Sequence, residues 1–321
     1  MPTALITGGH GGIGFECAKQ LASGYHLNLV LAGRSPKRMA GAAEELRKSF
    51  GVKVSLLSLD TSSLASIRQA AHELARRIES GEVDTLQAII CNAGGRFWDL
   101  SYSIDGYEQT FATNYLGHFL LVELLVGHLD SMGRVVFTVS GTHDPDTVDG
   151  KLVGKAVQPD AIALANDGKN GQKPLSTGKR YSTSKLCMVM CSYELARRLK
   201  KSGSSIASIA FDPGSVPDSG FLRAAPAIVQ WLAGTAFFKW FSKRIGITPG
   251  DLKFSGASLA RLAADTAFRD GSGKYFQSNS LRLIELRSAA ISYNEQLAWK
   301  LWNDSRQLVR LQPGEEPAQL Q

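Results

Sequence analysis

The chain has little of what would mark it as secreted, metal-bound or membrane-spanning. Its four cysteines, Cys17, Cys91, Cys187 and Cys191, form no C-x-x-C pair among 321 residues. They fall in apolar runs and read as buried thiols of a reducing compartment, not as a disulfide frame. The six histidines are dispersed, so no metal is expected. No stretch of about 20 apolar residues is present to span a bilayer. A strand that starts near Thr3 leaves no room for a signal peptide, so a soluble, cytoplasmic protein is expected. No Pro/Gly/Ser-rich linker divides the chain. One domain over residues 1–311 is expected, with 312–321 (QPGEEPAQLQ) as a flexible tail. The formal charge of +7 is modest and scattered. Without a basic stripe interleaved with aromatics, nucleic acid is not an expected partner.

What is present is a glycine-rich turn at the front of the chain. Thr3 to Gly14, TALITGGHGGIG, is an apolar run that stops in glycines and restarts as a helix. Gly8 and Gly12 permit left-handed torsions and a close backbone approach to a pyrophosphate, and Gly14 lets the helix pack near the strand. The helix, expected from about Gly12 to Ser23, aims its N-terminal amides at the phosphates. Gly8, His10, Gly11, Gly12, Ile13 and Gly14 are therefore candidate cofactor residues. The spacing is G-x-x-x-G-x-G, and a tight turn with no ligand also uses glycines.

A second apolar run, Leu27 to Ala32, ends in Gly33-Arg34-Ser35. In a dinucleotide fold, the tip of this strand faces the adenosine ribose. A carboxylate there suits NAD and a cation suits NADP. Arg34 follows Gly14 by twenty residues, Arg38 comes one helical turn later, and no acid lies between Ala32 and Met39. Two guanidinium groups can clamp one phosphate, so NADP(H) is the expected cofactor. A solvated helix start is the plain alternative.

Further strands are expected at Val54 to Leu59, Leu86 to Ile90 and Val135 to Val139, alternating with helical patterns. This alternation gives an α/β class, a single-domain, doubly wound parallel sheet of about seven strands with helices on both faces. Asp60 and Thr61 can reach the adenine edge, or Asp60 to Ser63 can cap the next helix. Asn92, Ala93 and Gly94 leave room at a strand end for a flat ring. Asn114 is expected inside a helical segment from about Ile104 to Leu129, a polar group among Phe111, Tyr115 and Phe119. Ser140 stands at the tip of the fifth strand. Tyr181 and Lys185 open a helix and share one face, four residues apart. An ammonium there is expected to lower the phenol towards neutrality and make Tyr181 a general acid or base.

With these residues in order, the chain resembles the short-chain dehydrogenase/reductase superfamily. The resemblance rests on Thr7 to Gly14, Asn92-Ala-Gly94, Asn114, Ser140, Tyr181 to Lys185, and Pro213-Gly214, and spans residues 3 to 280 or so. It implies hydride transfer between a nicotinamide and a carbon centre, with Tyr181 moving the proton. Ser140 would hold the substrate oxygen. Lys185 would bind the nicotinamide ribose, and Asn114 would hold a relay water. Pro213, Gly214 and Val216 complete the expected cofactor contacts. Ala-Gly-Arg34 and Asn114-Tyr-Leu-Gly-His-Phe119 are most similar to the branch of retinol dehydrogenases and protochlorophyllide reductases. Two positions depart: Cys91 replaces the first Asn of Asn-Asn-Ala-Gly, and Ser215 stands where protochlorophyllide reductases carry a cysteine.

Tyr181 follows Ser140 by 41 residues. The intervening segment, about 142–180, reads as a polar surface insert over the site mouth, and its basic residues from Lys151 to Arg180 as a solvated face. A second variable region, about 216–248, is rich in aromatics. Phe221, Trp231, Phe237 and Phe238 are candidate lid residues over a bulky hydrophobic substrate. Helical core and a peripheral membrane contact, with Lys239, Lys243 and Arg244 flanking, are alternatives for that region. The reading is an NADPH-dependent carbonyl reductase, or the reverse alcohol dehydrogenase, acting as a monomer or homodimer. A C=C reductase and a non-catalytic NADP-binding sensor are the alternatives.

Overall fold

An apolar run becomes a central strand only if both of its faces are covered, and here successive side chains enter two separate cores. In a computed structural model, which describes residues 1–216 and 247–320, Ala4 and Ile6 of β1 (Thr3–Thr7) enter one core and Leu5 the other. Leu29 and Leu31 are divided from Val30 and Ala32 in the same way on β2 (Asn28–Gly33). So are Ala88 and Ile90 from Ile89 and Cys91 on β4 (Leu86–Cys91). With β3 (Val54–Ser58), β5 (Leu129–Thr138), β6 (Ala207–Asp212), β7 (Tyr275–Asn279) and β8 (Arg282–Leu286), they form one sheet of eight strands. Its order is β3-β2-β1-β4-β5-β6-β7-β8, parallel except for the β7–β8 pair.

Helices α1 (Gly12–Gly24) and α2 (Pro36–Phe50) cover one face, together with a late helix introduced below. The other face takes α3 (Leu64–Glu79), α4 (Gln109–Phe111) and α5 (Gly117–Leu125). Past α6 (Val148–Val153), it also takes α7 (Ala161–Ala165) and α8 (Thr177–Lys201). Finally, α9 (Leu252–Ala264) returns to the first face and α10 (Glu295–Leu308) to the second. The chain reverses direction across the sheet between β1 and β4. Their carboxyl ends border the crevice where such sheets bind ligands.

Five details differ from the sequence expectations. β8 is an additional, eighth strand. The helix expected from Ile104 starts only at Gln109, because the buried Glu108 carboxylate accepts the Thr110 and Phe111 amides at 2.9 and 2.8 Å and caps it there. The insert is not a polar surface loop throughout. It carries α6 and α7, and Ala161, Leu164 and Ala165 join the α10 core. Arg180, expected on a solvated face, is buried and paired with Glu108 at 3.4 Å. The terminal segment, expected to be flexible, is anchored at Glu315 and Leu320, while Gln312, Pro313 and Gly314 are exposed. Arg68 grips Glu315 with two bonds of 2.7 and 3.0 Å, and Leu320 is fully buried.

Candidate active site

The nucleotide end of the crevice is shaped by backbone alone. Gly8 and Gly12 adopt φ of +69° and +55°, torsions in which a β-carbon is strained. A β-carbon on Gly14 would stand 2.6 Å from the Gly8 oxygen, so only glycine lets α1 close on the strand. Gly11 is the N-cap residue of α1, has open space around it, and leaves the first amides of the helix without a side-chain cap. Uncapped amides at a helix N-terminus are an anion site. A dinucleotide pyrophosphate therefore fits this turn. The His10 ring lies against Gly33, where a β-carbon would meet it at 3.0 Å. Arg34 and Arg38 are exposed at the end of β2, where the Ser35 hydroxyl accepts the Arg38 amide and starts α2. Asp60 accepts both the amide and hydroxyl of Ser62, at 2.9 and 2.7 Å, and within the segment expected to cap α3, Asp60 to Ser63, it is Ser63 that does so. Thr61 is buried.

The tip of β4 is braced from two sides. Thr7 Oγ1 accepts the Asn92 and Ala93 amides, each at 2.9 Å, and the Asn92 side chain donates to the Thr7 oxygen at 3.1 Å. Gly94 leaves space that a β-carbon would take, 2.8 Å from Asn114 Oδ1 and 3.8 Å from Lys185 Nζ. Asn114 sits in a π-helical turn, Ala112–Leu116, which interrupts the helix between α4 and α5. Such turns free a backbone group and recur at functional sites. Its side chain accepts the Gly95 amide at 2.9 Å and donates to the Gly95 oxygen and to Ser184 Oγ, both at 3.0 Å. Asn114 thus joins the β4 loop to α8.

The chemistry converges where β5 ends beside the start of α8. The Tyr181 side chain hydrogen-bonds with that of Ser140. Lys185 Nζ, buried, donates to the Thr138 oxygen at 2.8 Å and lies 5.8 Å from the centre of the Tyr181 ring. The sequence suggested a phenol lowered by this ammonium, and the structure corrects that. Burial raises Tyr181 above its ordinary range, the Ser140 hydroxyl pulls it down, the charge of Asp212 pushes it up, and Arg96 pulls it down. Lys185 is itself lowered to about 8, because burial removes its hydration. Tyr181 therefore holds its proton at neutral pH.

Several residues at the site were not singled out from the sequence. The buried Asp212 carboxylate, at the tip of β6, accepts from Tyr275 Oη at 3.0 Å, Gln277 Nε2 at 2.7 Å and the Gly214 amide at 2.9 Å. Gly141 leaves room for two carboxylates, since its β-carbon would lie 3.1 Å from Asp212 Oδ2 and 3.3 Å from Asp149 Oδ2. An acid closing a largely apolar strand, directly before Pro213-Gly214, was the available signal. Gly214 has φ +72°, and Val216 is buried. Ser215 pairs with the chain on the far side of the variable region, its amide donating to the Thr248 oxygen at 2.8 Å. Phe221, Trp231, Phe237 and Phe238, the lid candidates, lie outside the described residues, as do Lys239, Lys243 and Arg244. Among the described residues, no three His, Cys, Asp or Glu side chains group as metal ligands, and no helix is long and apolar enough to cross a membrane.

A crevice at the sheet's switch point, a glycine turn against an uncapped helix, and a buried Ser140/Tyr181/Lys185 group define the class: a doubly wound α/β protein with the site of a nicotinamide-dependent oxidoreductase. Residues 2–146 match the model of the short chain dehydrogenase family. The polyprenol dehydrogenase of Danio rerio is 30% identical over 316 residues, which cover 96% of this chain and 86% of that protein. The chloroplast protochlorophyllide reductase of Chlamydomonas reinhardtii is 28% identical over 323 residues, covering 96% and 78%. A short-chain dehydrogenase from Burkholderia cenocepacia, solved with NADP, shares the fold at TM-score 0.62 and 19% identity, over 87% of this chain and 96% of that one. The chain belongs to the short-chain dehydrogenase/reductase superfamily, in the branch that resembles retinol dehydrogenases and protochlorophyllide reductases.

Proposed function

We propose that this protein is an NADPH-dependent oxidoreductase that interconverts a carbonyl and an alcohol on a bulky hydrophobic small molecule. The observation that carries this reading is the Tyr181 hydroxyl bonded to Ser140, with Lys185 buried one helical turn along. Gly8 to Gly14 would hold the pyrophosphate, Arg34 and Arg38 the 2′-phosphate, Asp60 and Thr61 the adenine edge. Asn92 to Gly94, Lys185 and the Pro213 to Val216 turn would hold the nicotinamide half. When bound, NADPH supplies the hydride. Tyr181 gives its proton to the substrate oxygen and Ser140 donates a hydrogen bond to the same oxygen, so the alcohol leaves neutral. Burial of Tyr181 favours the protonated phenol, which suits the reductive direction. The name of the Danio rerio relative, a polyprenol dehydrogenase, supports an apolar alcohol or carbonyl as substrate.

Reduction of an activated C=C bond is the second reading, favoured by the protochlorophyllide reductase relative. The chain has Ser215 where that reductase type has cysteine, which weighs against it. Incubating the protein with NADPH or NADH and a panel of apolar enals and enones, followed by product analysis, separates the two. An alcohol formed faster with NADPH supports the first reading. A saturated carbonyl product supports the second, and no product with either nucleotide refutes both.

A further inference from the structure

Arg96 stands two residues beyond Gly94, in the loop that leaves β4 for the site. It is half-buried, and its guanidinium stacks on the Trp98 indole, 4.3 Å from the ring centre. No described carboxylate pairs with it. Its Nε and the Trp98 Nε1 are both buried without a hydrogen-bond partner among the described residues. Arg180 Nε likewise has no hydrogen-bond partner among the described residues, but it has a counter-ion, the Glu108 carboxylate at 3.4 Å. The loop is fixed at both ends to elements that carry the chemistry. The Asn114 side chain holds Gly95, and the Trp98 oxygen accepts Thr177 Oγ1 at 2.7 Å and Arg180 Nη2 at 3.5 Å, at the start of α8. Arg96 is held close enough to Tyr181 for their charges to interact.

A guanidinium Nε–H and an indole N–H that surrender water and receive nothing in return are costly unless a ligand completes them. Their complement is an oxoanion. The fork of a guanidinium matches a carboxylate, and the stacked Arg96–Trp98 pair offers a flat surface to the apolar body behind it. We propose that Arg96 and Trp98 bind a carboxylate on the substrate, so that the substrate class is a carbonyl compound with an apolar body and an acidic end. This rests on the carbonyl-reductase reading of the same site and narrows it.

The test is calorimetric binding of 2-naphthoate and of 2-naphthamide, its neutral counterpart, with and without NADP+, to wild type, Arg96→Ala and Arg96→Lys. Wild type should prefer the naphthoate by at least about tenfold. Arg96→Ala should abolish that preference while leaving NADPH affinity within about twofold, and Arg96→Lys should retain part of it. Equal binding of acid and amide by wild type overturns the proposal. So does an Arg96→Ala variant that loses NADPH affinity instead, since Arg96 would then belong to the nucleotide. Turnover of 4-carboxybenzaldehyde against its methyl ester separates this inference from the reading beneath it. Equal reduction of both sinks the inference alone. Reduction of neither, with the naphthoate preference intact, sinks the carbonyl-reductase reading and leaves the anion site standing.

Discussion

His118 Nδ1 donates to the main-chain oxygen of Asn114 at 2.9 Å, while its Nε2 meets Thr7 Oγ1 at 3.0 Å. A carbonyl oxygen can only accept, so Nδ1 carries the proton and Nε2 accepts from the threonine hydroxyl. The ring is a neutral strut between the end of β1 and the π-helical turn that presents Asn114. Burial holds it neutral, lowering His118 from 6.5 to about 4.

That strut makes the protein acid-sensitive. Between pH 6.5 and 4 the unfolded chain takes up a proton at this position that the folded protein refuses, so stability falls as pH falls through the window. The expected slope is about 1.4 kcal/mol per pH unit. Urea denaturation of wild type and His118→Asn from pH 7 to 4 should show curves that converge as the pH drops. Parallel curves would contradict the buried neutral ring.

Lys185 gives the opposite end of the pH scale. Its amine is held at about 8 when folded against 10.5 ordinarily, so raising the pH from 8 towards 10 strips a proton from the folded state first and favours folding. Relative to Lys185→Met, wild type should gain about 1.4 kcal/mol per pH unit across this range. A constant difference between the two proteins would mean that the ammonium is solvated.

The cofactor preference should reside in Arg34. Wild type is expected to quench with NADPH at least roughly tenfold more tightly than with NADH, a difference of about 1.4 kcal/mol. Arg34→Ala should remove the preference by weakening NADPH alone. An equal loss for both nucleotides would show that Arg34 supports the fold of the turn and does not read the phosphate.

Sequence legibility followed from how local each feature is. The glycine turn, the strand and helix alternation, and Tyr181 with Lys185 on one helix face are written in short-range periodicity and torsion, which need no partner to be read. β8 was not visible because its hairpin turns on Ser280-Leu281. Both have positive φ, 51° and 59°, in place of the Asn-Gly that such a turn normally announces. The strand is also only half covered, so it lacks the apolar run that marked the others. Arg96 and Asp212 were illegible for another reason. Their roles depend on which charges stand opposite them, and that is decided by the packing of β4, β6 and α8. The raised phenol of Tyr181 belongs with these, since adjacency to Lys185 was legible and the depth of burial was not.

The docked end of the chain is a further case, because Pro, Gly and Glu at 312–321 read as tail. Leu320 is nevertheless buried, and its oxygen accepts from Arg306 at 3.4 Å. Leu320→Ala should cost about 2–4 kcal/mol in urea denaturation, with the m-value unchanged. A loss under about 0.5 kcal/mol, the range of an exposed surface change, would return the segment to a loose tail.

The central claim is that Tyr181 moves the proton in a nicotinamide hydride transfer. Its most direct test is single-turnover oxidation of bound NADPH, followed at 340 nm by stopped flow, in wild type and Tyr181→Phe with a reducible aldehyde. NADPH affinity should be the same in both proteins, and the hydride-transfer rate should fall by about 10²- to 10⁴-fold in the variant. Equal rates in the two proteins would contradict the account, and the proton would have to come from a group other than Tyr181.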